Sequence, residues 1–221
     1  PYTYDRDRVR EKVRKRLGIG QNEILFVWAS YFAGEEDTSY MPTVLGQLAK
    51  SRFEFHLALV GGGPQGSYKT PGAPLVKDIL IMADKAGIPH KWITMTGRLP
   101  FYDYLETLIA ADAVLVPLRN HPFDICKSPG KLFYPMALEV PIIATEIGEA
   151  AYILPRAGCG ILIPPDNPEK ATEEIVSFMS FPQSKRYQMG AAGRRYLELH
   201  HNAKTVAERL ASLFKKSLKN N

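Results

Sequence analysis

Short apolar runs alternate with segments of helical periodicity along almost the whole chain, and this alternation constrains the fold more than any other feature. The apolar runs cover residues 24–29, 53–60, 92–96, 113–117, 141–145 and 160–163. Helical spacing covers residues 5–17, 40–50, 74–86, 102–110, 131–138, 149–156, 168–179, 184–199 and 203–218. Runs this short and apolar are typical of parallel strands buried on both faces. The sequence therefore predicts an α/β, Rossmann-like, doubly wound parallel sheet of about six strands with helices on both faces.

The segments that directly follow the predicted strands are the first place to look for function. In a doubly wound sheet, ligands bind outside the carboxyl ends of the strands, near the point where the strand order reverses. The segments in question are 30–34, 61–66, 97–100, 118–130 and 146–149. We therefore expect the functional side chains among these residues.

The segment 128–145 is the most informative of the chain. Ser128 is a suitable N-cap, so the sequence predicts a helix over 131–138, followed by a buried strand. A helix that begins after a strand offers free backbone N–H groups and a partial positive charge at its first turn. Because Lys127 and Lys131 flank this turn, the segment predicts a binding site for a phosphate or diphosphate.

Two further turns carry candidate ligand contacts. The glycine-rich loop 61–64 follows the second strand but lacks the third glycine of a dinucleotide fingerprint. Contact of Gly62 and Gly63 with a ligand, and a plain tight turn, therefore both remain open. After the third strand, Arg98 and Leu99 either border a nucleotide base and its phosphate or form an ordinary turn with a surface arginine.

The segment 118–130 contains one carboxylate, Asp124. It could stabilise positive charge at an anomeric carbon, or it could hydrogen-bond its own backbone, which is the favoured alternative.

The 5 histidines show neither triad nor metal-ligand spacing. Cys126 and Cys159 do not form a metal-binding motif either, and a reduced interior is the simpler interpretation.

Composition narrows the classes of function. The net charge is +5, but no basic stripe is interleaved with aromatic residues, so nucleic-acid binding is not predicted. No run reaches the ~20 apolar residues of a membrane helix. The C-terminal segment 203–218 has apolar residues at helical spacing among lysines. Packing of this apolar stripe on the domain is favoured, and peripheral contact with an anionic membrane is the alternative.

Together these residues resemble the C-terminal, donor-binding domain of family 4 (group 1) glycosyltransferases, which have the GT-B fold. The resemblance runs from about residue 23 to 199 and lies in the segments 57–64, 93–99, 104–117, 128–145, 158–163 and 165–169. It implies one Rossmann-like half of a two-domain enzyme that transfers a sugar, with retention, from a UDP- or GDP-linked donor. Because 221 residues cannot hold both domains, we expect this donor half to be inactive alone.

The resemblance also implies a division of the chain and a set of partners. Residues 1–20 would form an interdomain linker helix, 21–200 the donor-binding domain, and 201–221 a C-terminal helix and tail. The partners would be a nucleotide sugar and an N-terminal acceptor domain of the same protein. The implied location is cytoplasmic, with peripheral contact with the inner face of the membrane as a further expectation.

The site residues implied by the resemblance coincide with the turns described above. The donor-binding set is Gly62, Gly63, Arg98, Leu99, Lys127, Ser128, Gly130, Lys131, Leu132 and Tyr134, and the catalytic candidates are Asp124 and Lys131. Lys131 would stabilise the departing diphosphate, and Asp124 the anomeric charge. No metal or other cofactor is expected, because helix N-termini and basic side chains neutralise the diphosphate in this family.

The chain departs from the family pattern inside its most informative segment. Aligned through Lys131 and Leu132, Cys126 and Tyr134 take the places of a pair of glutamates, the second of which normally holds the ribose hydroxyls. A tyrosine cannot accept both hydroxyls as a carboxylate does. An acidic segment, 30–37, replaces the usual basic pair after the first strand. Two alternatives therefore stay open: a non-catalytic GT-B-like scaffold that has lost donor binding, and a nucleotide-sugar epimerase.

Overall fold

The computed structural model describes residues 4–30, 32, 40–61, 76–126, 128 and 130–219, except for the side chains of 76–79, 82 and 219. Its strands are β1 Ile24–Ser30, β2 Phe55–Gly61, β3 Ile93–Gly97, β4 Ala113–Val116, β5 Ile142–Thr145 and β6 Gly160–Ile163. Within the described residues they form one six-stranded sheet in the order β3-β2-β1-β4-β5-β6, with parallel pairing throughout. The predicted Rossmann-like sheet is confirmed, and its strand order reverses between β1 and β4.

Helices cover both faces of this sheet. They are α1 Arg6–Leu17, α2 Tyr40–Leu48, α3 Val76–Ala86, α4 Phe101–Ala110, α5 Pro122–Cys126, α6 Phe133–Ala137, α7 Gly148–Ala157, α8 Pro168–Met179, α9 Gln183–His200 and α10 Ala203–Lys219, with 3₁₀ turns at His90–Trp92 and Gly130–Leu132. Alternate residues of β1 point to opposite faces, as a strand requires. Leu25 and Val27 join a core with α1, α4 and α7, whereas Phe26 and Trp28 join a core with α2 and α8.

A buried carboxylate ties α1 and α9 to the sheet. Asp112, the residue before β4, is 3% exposed. It accepts hydrogen bonds from Arg10 at 3.1 Å, Arg14 at 3.3 Å and Arg186 at 3.2 Å, and from the backbone N–H of Leu25 at 2.9 Å. Burial lowers the pKa of Arg14, and the neighbouring Arg10 lowers it further. The predicted linker helix is thus packed into this domain, and its connection to another domain stays a prediction.

The connection between β4 and β5 differs from the prediction in two places. The segment 118–130, where neither a helix nor a strand is predicted, contains the short helix α5, which begins at Pro122, a residue suited to a first helical turn. The predicted helix over 131–138 is a 3₁₀ turn followed by α6. Pro135 explains this division, because it has no N–H to donate and its ring would clash with an α-helical carbonyl of Lys131.

The C-terminal helix α10 exposes its apolar side chains. Leu213, Phe214 and Leu218 are 62%, 67% and 78% exposed. The expectation that this stripe packs on the domain is therefore wrong for the described part of the chain. Of the helices that the structure describes, none combines the length and the apolar character needed to cross a bilayer.

Candidate functional site

A cavity of about 300 Å³ lies at the carboxyl ends of β1, β2 and β3, on one side of the strand-order reversal. It is lined by Ala29, Ser30, Val60, Gly61, Arg98, Leu99, Tyr104, Lys131 and Tyr134. The sheet therefore brings together side chains from turns that lie far apart in sequence. Four members of the predicted donor-binding set meet here: Arg98, Leu99, Lys131 and Tyr134.

The floor of the cavity depends on Gly61, the last residue of β2. Its φ is +117°, and a Cβ at this position would lie 2.0 Å from the carbonyl oxygen of Ser30. Any larger residue would push the paired ends of β1 and β2 apart. Gly61 is thus required by the sheet itself. The next two glycines of the predicted loop, Gly62 and Gly63, lie outside the described residues.

Lys131 supplies a positive charge at the end of β1. Its Nζ donates to the hydroxyl oxygen of Ser30 at 3.3 Å. Ser30 is 8% exposed, and its hydroxyl also accepts the backbone N–H of Phe32 at 2.9 Å. The ammonium group is therefore held over the edge of the sheet, where an anionic ligand could bind. The other predicted cation of this turn, Lys127, lies outside the described residues.

Aromatic rings form the wall between α4 and α6. The ring of Tyr134 makes edge-to-face contacts with Tyr104 and Phe101, both with centroids 6.0 Å apart. Burial raises the pKa of Tyr104 to about 12, and the nearby Tyr134 adds to the rise. The rise strengthens the preference for the neutral phenol, which tyrosine already has at neutral pH.

Sequence reasoning missed Tyr104 as a lining residue. Its position three residues after Phe101 places the two aromatic side chains on one face of α4. That spacing was the available signal, but it is equally typical of a helix that packs on a core.

Four of the predicted residues do not line the cavity. Leu132 is fully buried and belongs to the core beneath the 3₁₀ turn. Ser128 and Gly130 are exposed beside the cavity's cation. Asp124 is fully buried in α5. Their roles as donor or catalytic residues stay predictions.

Asp124 fixes the loop that follows β4. Its Oδ2 accepts the Nε–H of Arg119 at 2.9 Å and the backbone N–H of Arg119 at 3.3 Å. Local hydrogen bonding was the favoured interpretation of the sequence, and this geometry agrees with it. The carboxylate thus holds the segment that leads towards Ser128.

The C-terminal end of α6 is held by side chains from distant parts of the chain. Tyr4 donates to the carbonyl of Leu138 at 2.7 Å, and Arg6 donates to the same carbonyl at 2.8 Å. Arg194 of α9 donates to the carbonyl of Ala137 at 3.1 Å. These bonds satisfy carbonyl groups that a helix end leaves without intrahelical partners. They fix the element that carries Tyr134 into the cavity.

No cluster of histidine, cysteine, aspartate and glutamate suited to a metal ion occurs among the residues with described side chains. The cavity's polar lining, as far as the structure describes it, consists of hydroxyl groups and cations. This lining is suited to an anionic ligand that also carries an apolar or planar part.

The strand order and the helices on both faces define a Rossmann-like domain of the GT-B class, with a cavity at the carboxyl ends of the strands. The family model of the group 1 glycosyl transferases matches residues 23–180. The chain belongs to that family, as its resemblance predicts.

Individual relatives are distant in sequence. The chain is 24% identical over 206 residues to the GDP-mannose-dependent monoacylated alpha-(1-6)-phosphatidylinositol monomannoside mannosyltransferase of Corynebacterium glutamicum, a match that covers 92% of this chain and 50% of that protein. The chain spans about half the length of the curated relatives that it matches.

Solved structures agree on the fold. Sucrose-phosphate synthase from Thermosynechococcus elongatus matches with a TM-score of 0.74 at 17% identity, over 96% of this chain and 49% of that one. The Anabaena protein Alr3699/HepE, solved in complex with UDP-glucose, matches with a TM-score of 0.73 at 15% identity, over 96% of this chain and 56% of that one. At these identities the likeness concerns the fold alone.

Proposed function

We propose that the chain is the nucleotide-sugar-binding half of a retaining glycosyltransferase whose donor is a UDP- or GDP-linked sugar. The observation that carries the proposal is the cavity in which Lys131, Ser30 and Arg98 meet at the carboxyl ends of parallel strands. Cationic side chains and a hydroxyl suit a diphosphate, and the tyrosine and leucine side chains suit a nucleoside.

Two relatives support a nucleotide sugar and leave the base open. The Corynebacterium enzyme is named for its dependence on GDP-mannose, and the Anabaena protein was solved with UDP-glucose. The first is a neighbour of this chain in sequence, and the second is a neighbour in fold. We therefore keep both bases in the proposal and test them side by side.

In the proposed reaction, the bond between the anomeric carbon and the diphosphate breaks, and an acceptor oxygen bonds to that carbon. Negative charge collects on the departing diphosphate, which takes up the acceptor's proton. Lys131, oriented by its hydrogen bond to Ser30, stabilises that charge together with Arg98. No metal is required in this proposal, since the two cations neutralise the diphosphate. Asp124, held by Arg119, contributes by fixing the loop before the 3₁₀ turn rather than by direct contact.

The acceptor side is proposed to lie in a second, N-terminal domain. The support is the length of the relatives, of which this chain spans about half. The exposed apolar side chains of α10 offer a surface against which such a domain could pack, and peripheral contact with a membrane is the alternative for that surface. A cytoplasmic location belongs to the same proposal.

Isothermal titration calorimetry with UDP and GDP tests the donor site directly. We expect one of the two nucleotides to bind, and Lys131→Ala to weaken it by roughly 10- to 100-fold, the equivalent of a charge-assisted hydrogen bond of about 1.5–3 kcal/mol. Lys170→Ala is the control, since Lys170 is an exposed lysine of α8 outside the cavity lining. Absence of binding at millimolar nucleotide, both here and in any longer form of the protein, would refute the proposal.

A non-catalytic scaffold is the second candidate, and one observation favours it. Tyr134 occupies the cavity at the position where the family resemblance places a ribose-binding glutamate. A scaffold would keep its protein partners when Lys131 is replaced by alanine, whereas a transferase would lose turnover. Measuring both properties of the same variant separates the two candidates.

A further inference from the structure

Tyr134 lines the cavity together with Lys131 and the Arg98–Leu99 turn. Lys131 is three residues before it and carries a positive charge. The Tyr134 ring contacts Phe101, which begins α4 just after the Arg98–Leu99 turn. A nucleoside diphosphate with its phosphates at Lys131 and its base along the Arg98–Leu99 turn would place its ribose against Tyr134.

The Tyr134 ring is fixed in place but not sealed from water. Edge-to-face contacts with Phe101 and Tyr104, at interplanar angles of 71° and 79°, define its plane. The side chain is nevertheless among the exposed large residues, at 45%. A ligand would therefore meet a pre-oriented side chain that is still partly open to water.

How strongly a site prefers a ribonucleotide to a 2′-deoxyribonucleotide depends on the protein group that loses its hydrogen bond when the 2′-hydroxyl is absent. A carboxylate that accepts the ribose hydroxyls, as in many Rossmann-like sites, loses hydrogen bonds when the 2′-hydroxyl is absent. The resulting discrimination is large where the deserted group is buried, because no water replaces the lost partner. A half-exposed phenol regains a water molecule, and its ring contacts with the sugar are unchanged.

We propose that Tyr134 is a specificity-determining residue that makes this site indifferent to the 2′-hydroxyl of the donor nucleotide. The substrate class then includes 2′-deoxyribonucleoside diphosphate sugars as well as ribonucleoside diphosphate sugars. This inference rests on the proposed function, because it presupposes that the cavity binds a nucleotide.

The test compares UDP with dUDP, which differ by one hydroxyl group; GDP and dGDP replace them if guanosine is the preferred base. We expect the two dissociation constants of the unmodified protein to agree within about threefold, because water compensates the phenol. Tyr134→Glu should create a preference of about fivefold for the ribonucleotide, because a carboxylate forms stronger, charge-assisted hydrogen bonds with the ribose hydroxyls than a phenol does, although water at this half-exposed position limits the effect. Tyr134→Phe should leave the ratio unchanged.

The control variant is Tyr152→Glu, which adds the same charge at a tyrosine that is 56% exposed and outside the cavity lining. It should leave the ratio of the two dissociation constants as it is in the unmodified protein. Circular dichroism of each variant checks that it is folded.

The outcomes distinguish the two proposals. If neither nucleotide binds, the proposed function fails and the inference fails with it. If UDP binds the unmodified protein tenfold or more tightly than dUDP, the proposed nucleotide-binding function is supported and the inference about Tyr134 is refuted. The same holds if Tyr134→Phe changes the ratio, because the phenol hydroxyl would then be reading the ribose. The comparison of UDP with dUDP on the unmodified protein needs no variant, so it tests the inference even if a substitution prevents folding.

Discussion

Replacing Asp112 by asparagine tests the cluster that joins α1 and α9 to the sheet. The carboxylate is 3% exposed and accepts hydrogen bonds from three guanidinium groups, those of Arg10, Arg14 and Arg186. Asparagine keeps the size of the side chain but removes the negative charge with which all three guanidinium groups pair. Three buried cations would then repel one another, and the new amide group would point donors at other donors.

The expected loss follows from the burial. Breaking a buried ion pair by removing one partner costs about 3–5 kcal/mol. For a chain of this size, that corresponds to a fall in the melting temperature of roughly 6–20 °C. Urea unfolding followed by circular dichroism measures the loss, provided that the slope of the transition is unchanged.

Asp103→Asn is the matched control, because Asp103 also pairs with an arginine of α1. Its partner is Arg16, at 3.1 Å, and both side chains are more than a third exposed. Exposed pairs contribute about 0–1 kcal/mol, so this variant should remain close to the parent. Equal, small losses in the two variants would refute the conclusion that Asp112 anchors α1 to the sheet.

Three further predictions follow from single residues. Gly61→Ala places a Cβ 2.0 Å from a carbonyl oxygen of β1 and should lower the free energy of unfolding, measured in urea, by about 2–4 kcal/mol. Gly87→Ala, with open space around it, is the control and should lower it by about 1 kcal/mol. Equal losses in the two variants would contradict the steric argument. Burial raises the pKa of the Cys159 thiol to about 11. A disulfide reagent at about pH 8 should therefore modify exposed Cys126 quickly and buried Cys159 only after unfolding. Rapid reaction of both thiols in the folded protein would contradict this prediction. Burial lowers the pKa of His56, so its contribution to stability is present above the unfolded value near pH 6.5 and is lost as the pH falls below it. His56→Gln should therefore flatten the fall in unfolding free energy between about pH 7 and pH 5, and an unchanged slope would contradict this origin.

The parallel sheet could be predicted because its strands are buried on both faces. All residues of β4 and β5 are buried, and such strands read in the sequence as uninterrupted apolar runs. Helix bounds were harder to predict where apolar spacing and local backbone chemistry disagree. Pro135 shows this, since it divides a segment whose apolar spacing alone indicates a continuous helix.

The site could be predicted in part, for a similar reason. Lys131 and Arg98 lie directly after strands or beside a helix start, and topology alone places such residues at one edge of the sheet. The pairing of Lys131 with Ser30 joins residues about a hundred positions apart, and sequence spacing carries no information on that contact. The burial of Asp124 against Arg119 likewise depends on how α5 packs, and α5 itself was not predicted.

Tyr134, one of the departures from the family pattern, lies on α6, and the structure shows how this helix is held in place. Glu139, in the turn after α6, has a φ of +58°, a conformation that costs a side-chain-bearing residue energy. Arg6 donates to its carbonyl at 3.1 Å, and a Cβ on Gly190 would lie only 1.8 Å from the same oxygen. The strained turn is thus clamped between α1 and α9, and its position does not depend on what the cavity side of α6 presents. Because α6 is held from behind, the substitution at Tyr134 can alter what the site recognises without moving the site.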